Sequence, residues 1–341
     1  MNKSRMLASF AALALAFGAT SLTAAAAPDA QLKIVRRIAG PDGGWDYASF
    51  DPAHRRVYVA HGDRIIAIDA ATGTMNPHFA DADHAHAVLP LDEGRELLTT
   101  NSGDKSARIF DAQSGKLLAS IPTGDDADGA AYDPASHKVF VMDGDAGEIT
   151  VIDPVQRKAT DTIKLDGKLE FPAADGKGRL YVNVEDKAEI AVLDTHTDKV
   201  VAHYHLPDCT RPTGLAITKE GLLISSCGSG VADVIAASDG KPVASIKIGP
   251  GPDAVIYDRG RDLAYIPSGG DGTLAVLRIA GPRSVKLVGQ VPTQRGARTG
   301  ALDPASQHIY LPTAQFTPPP APGKRPGFVP GSFEVLELGP G

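Results

Sequence analysis

The stretch FDPAHRRVYVAHGDRIIAID, residues 50–69, decides the fold because it returns as YDPASHKVFVMDGDAGEITVID at residues 132–153. Both stretches begin at an Asp-Pro turn, continue into a strand of branched and aromatic residues, and end in another strand that closes on aspartate. Copies of the first of these strands recur about every forty residues: VYVA (57–60), LLTT (97–100), VFVM (139–142), LYVN (180–183), LLIS (222–225), AYIP (264–267) and IYLP (309–312). Short strands repeating at this period are typical of β-propeller blades.

The repeat predicts an all-β, seven-bladed β-propeller of four-stranded antiparallel blades, formed by one domain over residues 30–339. Outer strands are expected after turns rich in Gly, Asp or Thr, at residues 116–122, 158–165, 199–206 and 241–248. The last repeat lacks one strand, and the segment LKIVRRI (32–38) has strand character without a partner of its own. We therefore expect the N-terminal strand to pair with the last blade, which would close the ring and hide both edges. A solenoid would need capping repeats, and neither end resembles one.

The N-terminus predicts export. Lys3 and Arg5 precede an apolar run over residues 6–19, and small residues follow up to residue 26. This is the pattern of a secretory signal peptide over residues 1–26, and the run is too short to span a bilayer. No later stretch is apolar enough for a membrane helix. The sequence therefore predicts a periplasmic protein without a membrane span, and we expect it to be a monomer.

The net charge argues against one class of partner, and the two cysteines are candidates for a disulfide. Removing Lys3 and Arg5 changes the formal net charge from -7 to -9, which argues against a nucleic-acid partner. Cys209 and Cys227, the two cysteines, are placed at the same end of neighbouring strands. In an oxidising compartment they are expected to form a disulfide, worth about 3 kcal/mol. The alternative is a pair of soft metal ligands.

The strands LYVN (180–183) and VYVA (57–60), with the VID-type strands that follow them, resemble the repeats of the YVTN, or YncE-like, WD40-like propellers. The resemblance covers nearly the whole chain after residue 26, although Tyr181-Val182-Asn183 matches the tetrapeptide incompletely. It implies an exported propeller of a class in which many members have no assigned reaction. It implies no catalytic residue, because the family motif is structural.

One position of the repeat points to a site. Each predicted inner strand begins with one polar or charged residue, at spacings of 40 to 45 residues: Asp46, His86, Asp128, Glu170, Thr213, Asp253 and Arg298. In a propeller these positions surround one mouth of the central channel, and we interpret them as ligand-binding. The alternative is that they only face water in the channel or bind loop amides.

Clustered carboxylates require a cation or raised pKa values. We expect Asp46, Asp128, Glu170 and Asp253 to hold one divalent cation. Oxygen ligands suit Ca²⁺ or Mg²⁺, and His86 extends the choice to Mn²⁺ or Zn²⁺.

Further candidates lie on loops expected to open onto the same face. Asn101 and Asn183 are candidate ligand-binding residues, although Asn at such positions commonly stabilises turns. Trp45, the one tryptophan, is expected either to stack on a ligand or to pack between blades. The proline-rich insert at residues 316–330 cannot form a continuous strand. It is either a lid, with Lys324 and Arg325 facing the acidic ring, or an insert without a role.

Two functions fit these features. The first is a binding module that takes a small polar ligand, an ion or an envelope protein at the channel mouth. The second is a metal-dependent, lactonase-like hydrolase, with His86, Asp128 and Arg298 as candidate catalytic residues. No G-x-S-x-G, H-E-x-x-H or phosphate-binding glycine loop is present, and no serine has the sequence context of a nucleophile. We favour the binding module, because fold alone indicates no reaction.

Overall fold

The computed structural model describes residues 32–321 and 326–341, and these residues form an all-β propeller of six antiparallel sheets. The first sheet has six strands: β2 (Ala48–Asp51), β3 (Arg56–Asp69), β4 (Met75–Leu91), β5 (Glu96–Asn101), β6 (Ser106–Asp111) and β7 (Leu117–Pro122). The second has β8 (Ala127–Asp133), β9 (Lys138–Asp143), β10 (Glu148–Asp153) and β11 (Lys158–Lys164). The third has β12 (Leu169–Ala174), β13 (Arg179–Val184), β14 (Glu189–Asp194) and β15 (Lys199–His205).

The other three sheets also have four strands each. The fourth contains β16 (Pro212–Ile217), β17 (Leu222–Cys227), β18 (Val231–Ala236) and β19 (Pro242–Lys247). The fifth contains β20 (Ile256–Asp258), β21 (Leu263–Ser268), β22 (Thr273–Gly281) and β23 (Ser284–Pro292). The sixth contains β24 (Ala301–Asp303), β25 (His308–Thr313), β26 (Glu334–Pro340) and the N-terminal strand β1 (Leu32–Ala39). Two one-turn 3₁₀ helices lie at Asp92–Gly94 and Glu185–Lys187.

The predicted count of seven four-stranded blades is wrong, because the structure has six sheets. The first two repeats share one sheet, in which β3 and β4 run on through 14 and 17 residues. Ala85 pairs with Gly62 on one side and with Asn101 on the other, so β4 joins the two repeats. The physical reason is visible in FADADHAHAV (79–88), which contains neither Gly nor Pro. The connections between the other repeats all contain one of these strand-ending residues.

The ring closure also differs from the prediction, because the N-terminal strand belongs to a sixth sheet and not to a seventh blade. Strand β1 pairs antiparallel with β26, from Leu32 opposite Pro340 to Ala39 opposite Glu334. Its pairing completes the sixth sheet and not a seventh blade. The sheet order is β1, β26, β25, β24, so the two ends of the described chain lie on neighbouring strands.

The sequence pattern of each strand follows from its place in the sheet. Second strands such as β9 are buried on both faces, since neighbouring sheets cover them on either side. Phe140 and Met142 of the second sheet, for example, pack in one cluster with Leu180 and Val182 of the third. Outer strands such as β15 alternate exposed and partly buried residues, as expected for a strand at the molecular surface.

The predicted disulfide is present. Cys209 and Cys227 are bonded, with their Cα atoms 5.3 Å apart, and both are buried. Pro212 of β16 pairs with Cys227 of β17, so the bond links the entry of one strand to the end of its neighbour. The alternative of a thiolate metal pair is therefore excluded for this structure.

The proline-rich insert connects β25 and β26. Phe316 and Phe328 form an isolated bridge, and the Thr317 amide donates to the Gly327 carbonyl at 2.9 Å. Lys324 and Arg325, which the lid hypothesis placed over the acidic ring, lie outside the described residues. So does the predicted signal peptide over residues 1–26. No helix among the described residues has the length and apolar character needed to cross a membrane.

Candidate functional site

The inner ends of the sheets bring the polar ring residues towards each other. Backbone hydrogen bonds join successive inner segments: the Tyr47 amide donates to His86 O at 3.0 Å, and the Asp253 amide donates to Arg298 O at 3.1 Å. The Thr299 hydroxyl donates to Asp46 O at 2.7 Å, which links the sixth sheet to the first. The ring residues are thereby held on backbone that is itself cross-linked around the channel.

His86 lies at the centre of the first group. Its Nδ1 is 2.7 Å from Asp46 Oδ2 and 3.6 Å from Asp128 Oδ1, and its Nε2 is 3.0 Å from the Ser102 hydroxyl and 3.8 Å from Asp126 Oδ1. Burial alone would lower the pKa of His86, but the Asp46 hydrogen bond and the charges of Asp46, Asp126 and Glu170 outweigh it and raise that pKa. The imidazole therefore sits in a strongly negative environment.

Arg298 lies on the other side of Asp46. Its Nε donates to Asp253 Oδ2 at 2.8 Å, and its Nη2 is 3.7 Å from Asp46 Oδ1. Nη2 also donates to the Trp45 carbonyl at 3.1 Å, and the guanidinium carbon lies 6.0 Å from the centre of the Trp45 ring. Arg298 is therefore fixed by two carboxylates, one carbonyl and one aromatic face.

Trp45 packs inside the protein, as one of the two alternatives predicted. Its ring is 5.3 Å from Phe328, 5.5 Å from Phe333 and 6.2 Å from Phe316, and Trp45 is buried. Two of these partners belong to the proline-rich insert. The described part of the insert is thus anchored beside the mouth through the residue that precedes Asp46.

The remaining carboxyl groups are the most perturbed of the ring. Burial, together with the charges of Asp46, Asp253 and Asp126, raises the pKa of Asp128 well above its usual range. Burial and the charges of Asp128 and Asp253 raise the pKa of Glu170 to about 9, even though Lys168 Nζ lies 3.3 Å from Glu170 Oε1. Burial raises the pKa of Asp253 to about 6, against the opposing charge of Arg298. The ring is therefore short of positive charge.

Asp128 has one oxygen without a hydrogen bond. The residue is 9% exposed, and no described residue donates to its Oδ1, for which His86 Nδ1 at 3.6 Å is too distant. A buried carboxylate oxygen of this kind costs free energy unless a proton or a cation satisfies it.

Three residues beside the ring were given no role by the repeat pattern. Tyr47 is buried on Phe171, with ring centres 4.8 Å apart, and its pKa is raised by burial and by the charges of Asp128, Asp253 and Glu170. Lys168 contacts Glu170, and Ser102 contacts His86. Tyr47 and Lys168 flank ring residues by one and two positions, a signal that a search of the neighbouring positions would have found.

Three predicted ligand-binding residues are engaged in the fold. The Thr213 hydroxyl donates to Pro252 O at 2.9 Å. The Asn183 amide donates to Thr213 O at 2.8 Å and accepts from the Ser225 hydroxyl at 3.0 Å. The Asn101 amide donates to Ser106 O and accepts from the Asp83 backbone. Their amide and hydroxyl groups link strands and turns, and ligand binding by them stays a prediction.

The donor set fits a cation. Asp46, His86 and Asp128 each offer a ligand-type atom within 4.8 Å of the others. Both His86 nitrogens already have hydrogen-bond partners, so a metal bound there would have to displace Asp46 or Ser102. The carboxyl groups of Asp128, Glu170 and Asp253 carry the larger unmet demand for positive charge. They are hard oxygen donors of the type that Ca²⁺, Mg²⁺ and Mn²⁺ prefer.

Comparison with known proteins supports the fold and not a family. No family model matches the sequence, and no curated protein matches it. Among solved structures, the WD40 repeats of RRP9 are 14% identical over 91% of this chain and 98% of that chain, with a TM-score of 0.75. A virginiamycin B lyase from Staphylococcus aureus is 13% identical over 91% of this chain and 99% of that chain, with a TM-score of 0.71. Hydrazine synthase from Kuenenia stuttgartiensis is 16% identical over 79% and 92%, with a TM-score of 0.70. These similarities establish that the chain has the β-propeller fold.

Proposed function

We propose that this propeller is a binding module whose ligand is a small cation, in the simplest case a divalent metal ion, held by carboxyl groups at the channel mouth. The observation that carries the proposal is Asp128 Oδ1, a buried carboxylate oxygen for which no described residue is a hydrogen-bond donor. In this proposal Asp128, Glu170 and Asp253 supply the ligand oxygens. Asp253 would bind through Oδ1, since its Oδ2 accepts from Arg298 Nε at 2.8 Å. Asp46 is engaged through both oxygens, by His86 and by Arg298.

The pKa values support a cation and not an anion. Glu170, with a pKa raised to about 9, holds a proton at neutral pH that a cation would displace, whereas Asp253, with a pKa raised to about 6, holds one only in mildly acidic solution. Cation binding should therefore release protons near neutral pH. Because protons compete for the same oxygens, affinity should rise as the pH rises from below 6 towards 9.

Calorimetric titration of the mature chain with Ca²⁺, Mg²⁺, Mn²⁺ and Zn²⁺ tests this proposal. We expect one ion to bind with near-stoichiometric occupancy, with proton release visible as a dependence of the binding heat on the buffer. Asp128→Asn should weaken binding about tenfold or more, which corresponds to about 1.4 kcal/mol. Asp161→Asn, an exposed carboxylate on the outer strand β11, is the matched control and should bind like wild type. Absence of stoichiometric binding by all four ions, or equal affinity in both variants, would overturn the proposal.

One observation favours hydrolysis as a second candidate function. A buried carboxyl group with a pKa raised to about 9, as in Glu170, is suited to donate or accept a proton in general acid–base catalysis. A bound cation could polarise a lactone carbonyl, and Arg298 would stabilise negative charge. A panel of lactones and esters, assayed with and without the ion, tests this candidate. Turnover that requires both the ion and Glu170 supports it, and an inactive panel leaves the binding module.

The cellular setting belongs to the same proposal. The YVTN-repeat resemblance and the pattern of residues 1–26 support an exported, periplasmic propeller that presents the mouth to a small polar ligand or an envelope protein. Determining the N-terminus of the protein recovered from a bacterial periplasm tests export. A mature start near residue 27 is the expected result, and retention of Met1 in the cytoplasmic fraction would contradict it.

A further inference from the structure

We propose that Ser102, His86 and Asp46 form a nucleophilic site that attacks the carbonyl carbon of an ester or lactone. The Asp46 carboxylate is 2.7 Å from His86 Nδ1, and His86 Nε2 is 3.0 Å from the Ser102 hydroxyl oxygen. An acid that orients a histidine, whose other nitrogen meets a hydroxyl, is the arrangement that activates serine nucleophiles on unrelated folds. This inference does not depend on the cation-binding proposal.

Three separate parts of the first sheet supply these side chains. Asp46 precedes β2, His86 lies in β4, and Ser102 directly follows β5. Residues 40 and 16 positions apart are therefore brought into hydrogen-bond contact by the fold. Ser102 is partly exposed. The arrangement has no local motif, which explains why sequence patterns did not reveal it.

The hydrogen bonds orient the imidazole. Because a carboxylate only accepts, Asp46 holds a proton of His86 on Nδ1, and in the neutral imidazole the Nε2 lone pair then faces Ser102. The Ser102 hydroxyl has one competing acceptor, the His84 carbonyl, at the longer distance of 3.4 Å. The shorter contact is the one that prepares the hydroxyl for proton transfer.

The surrounding charges favour the protonated histidine that this step generates. Asp128 Oδ1 lies 3.6 Å from Nδ1, and Asp126 Oδ1 lies 3.8 Å from Nε2. Together with Asp46, these carboxylates stabilise an imidazolium ion as it forms. Arg298, 3.7 Å from Asp46, holds the orienting carboxylate in place. The same negative charge disfavours anionic substrates, so the site should accept neutral or cationic esters and lactones.

The proposed reaction is a hydrolysis, in which water is the one reactant besides the ester or lactone. The Ser102 oxygen forms a bond to the carbonyl carbon while its proton moves to His86 Nε2. Collapse of the tetrahedral intermediate breaks the carbon–oxygen bond of the ester, and the leaving alkoxide takes the proton from His86. Water, deprotonated by His86, then attacks the acyl-serine; the carbon–oxygen bond to Ser102 breaks, the Ser102 oxygen takes the proton back from His86, and the acid is released. In a lactone the leaving alcohol stays attached to the acyl group.

Labelling with an uncharged alkyl fluorophosphonate tests the nucleophile directly on the full mature chain. We expect one phosphonyl group per chain by intact mass, located on Ser102 by peptide mapping. Ser102→Ala should abolish the modification, and His86→Asn should slow it roughly 100-fold or more, the usual contribution of a general base. Asp46→Asn, which changes a positioning residue, should also slow labelling. Ser136→Ala is the matched control, because its hydroxyl contacts Asp133 and is bonded to no histidine.

The outcomes separate this site from the cation site and from misfolding. Ser102 of wild type should be labelled equally with and without a chelator of divalent ions, because no cation takes part in the serine reaction. Thermal unfolding of each variant shows whether it is folded, and Ser102→Ala removes one partly exposed hydroxyl only. Modification of a different serine, no modification of wild type, or equal labelling rates in wild type and folded His86→Asn would each overturn the proposal.

Discussion

Two buried clusters in this molecule combine a carboxyl group, a histidine and an arginine, yet their carboxyl groups respond in opposite ways. In the closing sheet, Glu337 is 1% exposed and accepts from Arg36 Nε at 2.5 Å and His308 Nδ1 at 2.5 Å, with Tyr310 at 3.4 Å. At the mouth, Asp128 is also buried but keeps one oxygen without a described donor.

The difference appears in the pKa values. Burial alone would raise the pKa of Glu337, but the hydrogen bonds from Arg36 and His308 lower it below its usual value. Burial and neighbouring carboxylates raise the pKa of Asp128 well above its usual range. Because both residues are buried, the contrast shows that partners decide the response. The Glu337 cluster is satisfied within the fold, whereas the mouth cluster requires a proton or a cation from outside.

The largest expected effect is a loss of stability in the closing sheet. Glu337→Gln keeps the side-chain size and removes the charge that pairs with Arg36 and His308. Because breaking a buried ion pair leaves its partners uncompensated, we expect the free energy of unfolding to fall by about 3 kcal/mol. Urea unfolding at pH 7 measures it. The control is Glu334→Gln on the same strand, whose partner Arg37 is half exposed, with an expected loss of about 0.5 kcal/mol. Equal losses in the two variants would show that the buried ion pairs of Glu337 stabilise the fold no more than the exposed pair of Glu334 does.

Asp143 lies between the two cases, because one of its oxygens accepts a hydrogen bond and the other does not. The pH dependence of stability tests what this difference does. Asp143 is buried, its Oδ2 accepts from the Thr150 hydroxyl at 2.6 Å, and no described residue donates to its Oδ1. Burial raises its pKa from 3.8 to about 6. The folded state therefore binds this proton more tightly than the unfolded state, so this group lowers stability as pH rises from about 4 to about 6.

Asp143→Asn should remove that pH dependence. We expect the variant to be more stable than wild type by about 2 kcal/mol at pH 7, with the difference disappearing towards pH 4. Denaturant unfolding of both proteins across this pH range gives the measurement, and taking the difference cancels the titration of all other groups. A difference that stays constant with pH would show that the carboxyl group titrates alike in both states.

The sequence predicted the propeller, its outer strands and the disulfide, because the strands follow from local periodicity and the two cysteines are placed at the same end of neighbouring strands. It did not predict the six-sheet arrangement. Nothing in the strand copies themselves shows that β4 continues from one repeat to the next, and only the missing Gly and Pro in residues 79–88 indicated it. Spacing located Asp46, His86, Asp128, Glu170, Asp253 and Arg298, since the fold repeats with the sequence. Thr213 and Asn183 form hydrogen bonds with residues of neighbouring repeats, and no local sequence pattern predicts these bonds.

The role proposed for Ser102 could not be predicted from the sequence repeat either. It follows the second-strand copy of its repeat by two positions, where the other copies have Gly62, Gly144, Glu185, Cys227, Gly269 and Ala314. It is the one hydroxyl at that position, which is a usable signal only after the strand ends are known. Its contact with His86 depends on how the loop after β5 folds, and the repeat does not specify that loop.

The smallest expected effect on stability is that of Asp128→Asn, and it contrasts the mouth cluster with the Glu337 cluster. Asp128→Asn replaces a carboxyl group, whose pKa is raised by burial and by neighbouring carboxylates, by a neutral amide of similar size. We expect its free energy of unfolding at pH 7 to lie within about 1 kcal/mol of wild type, with any change towards greater stability. The amide removes a charge that burial and neighbouring carboxylates disfavour, and the contact with His86 at 3.6 Å is longer than a hydrogen bond. The measurement is the same urea unfolding used for Glu337→Gln. A loss as large as that of Glu337→Gln would mean that Asp128 is held by the fold as firmly as Glu337 is, and the mouth would then have no unmet charge to offer a ligand.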